Sequence, residues 1–379
     1  MKKISILIIA LLASAAVFAQ EEKKSNQVTG TTAEFILEQS QGSYTPSFKV
    51  DGKEIKVKNV ILMIGDGMGL GAVTSAFYAN GGELTMMNLK TMGYVRTQSA
   101  SDFTTDSAAS GTAYACGQKT TNGYVGMNPD KEPIANIPEK LAPLGYACGV
   151  VSTDDVNGAT PAAFFAHQAE RGATEPIWAD LPASKLSFIS AGTQSRFESL
   201  PLKTQDDIKK KFAVVYSPEE AAAVEGKSIM YLPETVESVK RGNYLPETTQ
   251  MAIDYLSKQS KKGFFLMVEG ARIDKHSHGN DYVGCVTETL DFDKAIEAAI
   301  RFAEADGHTL VIISADHETG ALSLRGGDIE ENTIKGVYVS KGHSPITVPL
   351  FAYGPKSRHF SGVQHNSDVS NKIVEILSK

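Results

Sequence analysis

Cysteine is scarce in this chain. Cys116, Cys148 and Cys285 are the whole complement of 379 residues, an odd number with no close pair. That excludes a disulfide-stapled small fold and leaves either one bridge or three buried thiols acting as small apolar side chains. A basic excess is absent as well: 37 Lys and Arg stand against 44 Asp and Glu, for a formal net charge of −7. Such a balance argues against nucleic acid as a constitutive partner. Internal repeats and low-complexity blocks are missing, and a long apolar run occurs only at the start. There, MKKISILIIALLASAAVFA (residues 1–19) has a Lys-Lys head, an apolar middle and small residues before Val-Phe-Ala, the pattern of a signal peptide cleaved after Ala19. The run is short and EEKK follows at once, so the reading is export to the periplasm or medium with no membrane anchor after signal removal. Residues 20–45 are polar and read as a mobile leader. What remains, 46–379, is expected to form a single catalytic domain with a large core.

Short apolar runs alternate with helical patterns from Val57 onward. VKNVILMIGDG, YACGVVSTDD, KLSFISAG, FAVVYS, FFLMVEGARID, TLVIISADHE and VPLFAYGP are strand candidates, most of them continuous runs of the kind buried on both faces. Helices are expected near 107–116, 160–172, 247–259, 285–305 and 366–377. The alternation predicts an α/β fold, a doubly wound and mostly parallel central sheet with helices on both faces. Residues 172–246 are interrupted by prolines and are expected to pack as loops and short elements beside the main sheet, as small capping insertions.

Polar residues collect where these strands end. Asp66 closes the first, Glu269 and Asp274 follow FFLMV, and Asp316 with His317 follows TLVIIS. In an open parallel sheet the carboxyl ends of the strands share one edge, the edge where ligands bind. Acids gathered there repel one another unless cations neutralise them. Asp274 and His278 are one helical turn apart, and His343 can complete a three-residue set with an open fourth position, a plausible zinc environment. Asp316 and His317 fit a second site with Asp66, while the oxygen ligands Glu269 and Thr160 suit magnesium. In DFTTDSAASG (102–111), Thr105 or Asp106 can cap a helix that begins at Ser107, leaving that hydroxyl at the positive end of the helix. Each residue alone has an ordinary explanation: a strand-end Asp caps the next helix, Thr160 before Pro161 is an N-cap, His343 is a loop histidine. Their clustering at strand ends is what singles them out.

Six stretches carry a resemblance: IGDGMG (64–69), TDSAASGTA (105–113), ATPAAFFAH (159–167), VEGARIDKHSH (268–278), ADHETG (315–320), and GHSP followed by FAYGP (342–355). In this order the chain resembles the bacterial alkaline phosphatases. The resemblance implies a phosphate monoester hydrolase that acts through a phosphoserine, with two zinc ions and one magnesium ion per chain. Asp274, His278 and His343 would hold one zinc, and Asp66, Asp316 and His317 the other. Asp66 would also bridge to a magnesium held by Thr160 and Glu269. Ser107 would be the nucleophile. Arg171, at the end of the helix that begins near Thr160, would grip the phosphate, and Lys275 would reach it through water. Small-molecule phosphate monoesters are the implied substrates, and a homodimer is a family expectation. Gly158 departs from the pattern, since relatives carry Asp or His there. Either the magnesium site is weaker, or Asp154, Asp155 or Asn157 reaches in from the preceding loop to replace the missing carboxylate; the expectation is the weaker site, with those three side chains occupied in local hydrogen bonds. Rival readings are a superfamily phosphodiesterase, a sulfatase, or a non-catalytic exported zinc or phosphate binder. DSAAS lacks the Pro and Arg of a sulfatase nucleophile context, and a mere binder has no use for Ser107 beside Arg171.

Overall fold

Strands made of unbroken apolar runs need cover on both faces. The computed structural model, which describes residues 32–36, 40–237, 241–331 and 333–379, shows how that cover is provided. Every residue of Asn59–Gly65, Ala147–Ser152, Phe264–Gly270, Thr309–Ser314 and Val348–Tyr353 is buried. Successive side chains leave a strand on opposite faces, and Phe264 and Phe265 show the consequence. Phe264 packs on Phe302 of the Tyr282–Asp306 helix, whereas Phe265 stacks on Phe164, just past the Ala159–Ala163 helix.

These strands belong to a ten-stranded sheet. From edge to edge it runs Gly362–His365, Thr91–Arg96, Val348–Tyr353, Thr309–Ser314, Asn59–Gly65, Phe264–Gly270, Ala147–Ser152, Phe188–Ser190, Ser228–Tyr231, Phe212–Val215. Val348–Tyr353 is antiparallel to both its neighbours, and all other pairings are parallel. The fold is therefore the α/β, mostly parallel arrangement that the sequence predicts.

Several expectations need correction. The segment 172–246 does not lie beside the sheet; Phe188–Ser190, Phe212–Val215 and Ser228–Tyr231 extend it at one end. These strands have three or four residues each, too few to stand out from the proline-rich loops around them. Thr91–Arg96 is absent from the strand candidates because only alternate residues are buried. The helix expected over 160–172 ends at Ala163, so Arg171 lies on a turn. Part of the stretch read as a leader is built into the molecule: Thr32–Ile36 pairs antiparallel with Thr333–Val337, and the N–H groups of Gln41 and Tyr44 donate to Asn80 Oδ1 and Thr85 Oγ1 at 2.8 and 3.1 Å. The signal-peptide reading, 1–19, falls outside the described residues. All three cysteines are buried and unbridged. Among the described residues no helix is long and apolar enough to cross a membrane.

Candidate active site

Three adjacent strands bring the acids together. Ile64 pairs with Ser314 on one side and Glu269 on the other, and Gly65 pairs with Gly270. Asp66 therefore emerges between Glu269 and Asp316. The chain turns away at Gly67, whose φ of +71° is a left-handed conformation and whose N–H donates to Asp316 Oδ1 at 3.0 Å. A Cβ on Gly67 would lie 2.8 Å from Asp274 Cα, so glycine is what lets the two acid-bearing segments approach. Asp274 and His278 share the Arg272–His278 helix, one turn apart. A two-residue ladder in which Thr319 pairs with His343 carries His343 to the same place.

Ser107 opens the Ser107–Cys116 helix, and the Asp106 carboxylate caps it by accepting from Ala109 N at 2.9 Å. All ten residues of that helix are buried. Small side chains make this packing feasible: a Cβ on Gly111 would sit only 3.2 Å from Thr160 Cα, so the Ser107 helix and the Ala159–Ala163 helix approach closely there. Ser107 Oγ lies 3.1 Å from His317 Nε2.

Two groups of ligand atoms converge. Those of Asp66, Asp316 and His317 lie within 4.8 Å of one another, as do those of Asp274, His317 and His343. His278 joins the second group, its Nε2 3.3 Å from Asp274 Oδ2 and 3.2 Å from His343 Nε2. The imidazoles are oriented from behind. His343 Nδ1 donates to Thr105 O at 2.9 Å, and His278 Nδ1 donates to Lys341 O. A carbonyl can only accept, so both rings turn Nε2 toward Asp274. Thr319 links the groups: its hydroxyl donates to Asp274 Oδ1 at 2.5 Å and lies 3.2 Å from His317 Nδ1.

What these residues leave unsatisfied points to cations. Asp66 Oδ1, Asp316 Oδ2, Glu269 Oε1 and Thr160 Oγ1 are buried without a hydrogen-bond partner, a costly state for any folded chain. Burial, reinforced by the charges of Asp316, Asp274 and Glu269, drives the Asp66 carboxyl well above its ordinary range. Burial likewise pushes Glu269 up to about 8, with Asp154 the foremost charge acting on it, and Asp316 up to about 7. At Asp274 burial also acts upward, but the His278 hydrogen bond and the His317 charge outweigh it, and its carboxyl is held low. His278 is raised to about 9, chiefly by its hydrogen bond to Asp274. The mixed carboxylate and imidazole groups suit zinc, and the hydroxyl and carboxylate of Thr160 and Glu269 suit a harder ion such as magnesium.

Two cations of the protein border this site. Arg171 Nη1 lies 3.0 Å from Asp106 Oδ2, which also accepts from Gly123 N at 3.0 Å. One carboxylate thus caps the Ser107 helix and holds the guanidinium beside it. Lys275 Nζ is paired with Asp154 Oδ1.

Residues 57–207 and 237–337 match the family model described as alkaline phosphatase. The chain belongs to the alkaline phosphatase family. It is accordingly a hydrolase, and family membership supports phosphomonoesters as its substrates. Alkaline phosphatase 4 of Bacillus subtilis (strain 168) is 29% identical, the match covering 85% of this chain and 89% of that protein. The alkaline phosphatase structure from the Antarctic bacterium TAB5 superposes with a TM-score of 0.80 at 35% identity, covering 86% of this chain and 99% of the other. A mutant of that enzyme with Mg bound in its M3 site superposes equally well, with a TM-score of 0.80 at 34% identity over 87% and 99% of the two chains.

Within this alkaline phosphatase fold Asp66, Asp274, His278, Asp316, His317 and His343 converge beside Ser107, while two other residues singled out from sequence are held differently from expectation. Arg171 is placed by Asp106 rather than by a helix, and Lys275 engages Asp154. Sequence reasoning missed Thr319 and the second use of Asp106, and it set Asp154 aside in favour of a weakened magnesium site. Thr319 was detectable, since it lies two positions past His317 and such residues share a face of an extended segment.

Proposed function

We propose that this alkaline phosphatase hydrolyses small phosphate monoesters through a phosphoserine at Ser107, with two zinc ions and one magnesium ion per chain. Asp274, His278 and His343 hold one zinc, Asp66, Asp316 and His317 hold the other, and Asp66 is shared with a magnesium bound by Thr160 and Glu269. One observation carries the reading: Ser107 Oγ lies 3.1 Å from His317 Nε2, whose neighbours Asp66 Oδ1 and Asp316 Oδ2 are buried ligand atoms with no hydrogen-bond partner. Bound cations supply a lowered hydroxyl pKa for Ser107 and positive charge for the departing oxygen.

Ser107 Oγ loses its proton and bonds to phosphorus as the ester P–O bond breaks, and the alcohol leaves carrying a proton. The helix N-terminus faces the transferred anion with free backbone N–H groups. Arg171, steadied by Asp106, offers its planar fork to two phosphoryl oxygens, a geometry that lysine cannot reproduce. Water then bonds to phosphorus as the bond to Ser107 Oγ breaks; Ser107 regains a proton and inorganic phosphate departs. Lys275 stands one residue from the Asp274 ligand and contributes positive charge at the rim. We read residues 46–379 as one catalytic domain onto which Thr32–Ile36 and the segment around Gln41 and Tyr44 are packed, exported by the 1–19 signal, with homodimerisation carried over from the family.

The deciding experiment compares turnover of a chromogenic phosphate monoester, a phosphodiester and a sulfate ester by the protein loaded with zinc and magnesium. Preference for the monoester is expected. Faster cleavage of the diester or the sulfate ester, or no turnover, would overturn the assignment.

A further inference from the structure

Gly158 is a glycine without a backbone reason. Its φ of −54° and ψ of 143° suit any residue. A neighbour is what excludes a side chain there: a Cβ on Gly158 would lie 2.4 Å from Asp154 Oδ2 and 2.9 Å from Asp155 O. The Asp154 carboxylate therefore fills the space that a side chain at 158 would take.

Asp154 is held through both its backbone and its side chain. Its own backbone N–H donates to Ser152 Oγ at 2.8 Å, and the same hydroxyl donates to Glu269 Oε2. On the other side Lys275 Nζ pairs with Asp154 Oδ1. Glu269 and Thr160 are each 1% exposed, and Glu269 Oε1 and Thr160 Oγ1 have no hydrogen-bond partner. Asp154 also contributes the foremost charge acting on Glu269. Local hydrogen bonds do not occupy its side chain, contrary to the expectation from sequence.

We propose that Asp154 restores to the magnesium site the carboxylate that position 158 lacks, acting alongside Glu269 and Thr160, with Lys275 as its positioning partner. Asp154, reaching in from four positions upstream, and the Asp155 carbonyl together take the space that a Cβ at 158 would need. The site is thus completed by another residue, not weakened. This inference rests on the metal-dependent phosphatase reading above.

The test titrates magnesium chloride into the zinc-loaded protein by calorimetry, with metal analysis after desalting, for wild type, Asp154→Asn, Asp154→Ala and Asp154→Ala/Gly158→Asp. Asp154→Asn is expected to weaken magnesium binding by roughly 10 to 100-fold, as for other groups that orient a metal's ligands, with zinc content unchanged. The double variant is expected to recover most of the affinity lost in Asp154→Ala, because a carboxylate returns to the same space from the other residue. Superimposable isotherms for wild type and Asp154→Asn, alongside normal monoesterase activity of the wild type, would overturn this inference alone. A double variant no better than Asp154→Ala would assign the loss to the loop rather than the carboxylate and would overturn it equally. Wild-type protein that takes up no magnesium and turns over no monoester would remove the phosphatase reading with it.

Discussion

His278 and His343 face each other through Nε2 atoms 3.2 Å apart, each ring fixed by an Nδ1 hydrogen bond to a backbone carbonyl. Two neutral imidazoles so arranged aim lone pairs at one another, which only a shared proton or a cation resolves. In the ion-free protein a proton on His278, stabilised by Asp274, serves; a metal would displace it. His343→Ala is therefore expected to lower both zinc content and turnover, with partial recovery at high added zinc because Asp274 and His278 remain. Unchanged metal content and rate would reduce His343 to a loop residue. Ser107 differs in kind, since it lies beside the ligands without being needed to retain them. Ser107→Ala should cut monoesterase activity by roughly a thousandfold or more while zinc content holds, and phosphate trapped at low pH on the wild type should map to Ser107. Label on any other residue would remove it as nucleophile.

Turns and caps decide where such side chains sit. Gly67, at φ +71° with Asp274 Cα 2.8 Å from where its Cβ would be, joins the end of the first sheet strand to the Arg272–His278 helix by close backbone approach. Gly67→Ala is expected to destabilise the protein by about 1–3 kcal/mol, the typical cost of a strained backbone position, and to lower zinc retention by pushing Asp66 and Asp274 apart. Denaturant midpoints and metal content measured together check both; a variant with wild-type values in each would show that the turn relaxes freely. Asp106 joins two other elements. Its Oδ1 caps the Ser107 helix while Oδ2 holds Gly123 N and Arg171, so that helix start and phosphate-gripping side chain are placed by one residue.

The acids at the strand ends make folding depend on cations and pH. Asp66 is raised by burial and by its acidic neighbours, Glu269 to about 8 from an ordinary 4.5 and Asp316 to about 7 from 3.8. In the chelated protein the folded state then binds protons that the unfolded chain has already released, so stability falls as pH rises. The melting temperature after chelation is expected to drop between about pH 5 and pH 8, and added zinc and magnesium should raise it and flatten the slope. A chelated protein that melts higher at pH 8 than at pH 5 would show that these carboxyls are not the dominant ionisations. Buried Cys116 and Cys148, their thiols each pushed up to about 12 by burial, add no titration in that window.

Much of the site was legible because its parts are local in the chain. A buried parallel strand shows as a continuous apolar run, the first polar residue after it marks the sheet's ligand edge, and Asp274 and His278 lie on one face through helical spacing alone. The Ser107–Cys116 helix was readable for the same reason, with its cap and small residues contiguous. Other features depend on which segments become neighbours. The strands at Phe188–Ser190, Phe212–Val215 and Ser228–Tyr231 are too short to carry a period, and the sheet edge they extend exists only after the central strands have assembled. Arg171 is placed by a carboxylate 65 residues away in the chain, and Lys275 by one 121 away. Gly158 looked like a missing ligand in sequence and is, in the fold, the space that Asp154 fills. Residue types and local periods specify what each segment can offer, whereas packing in three dimensions selects the partner that each offered group meets.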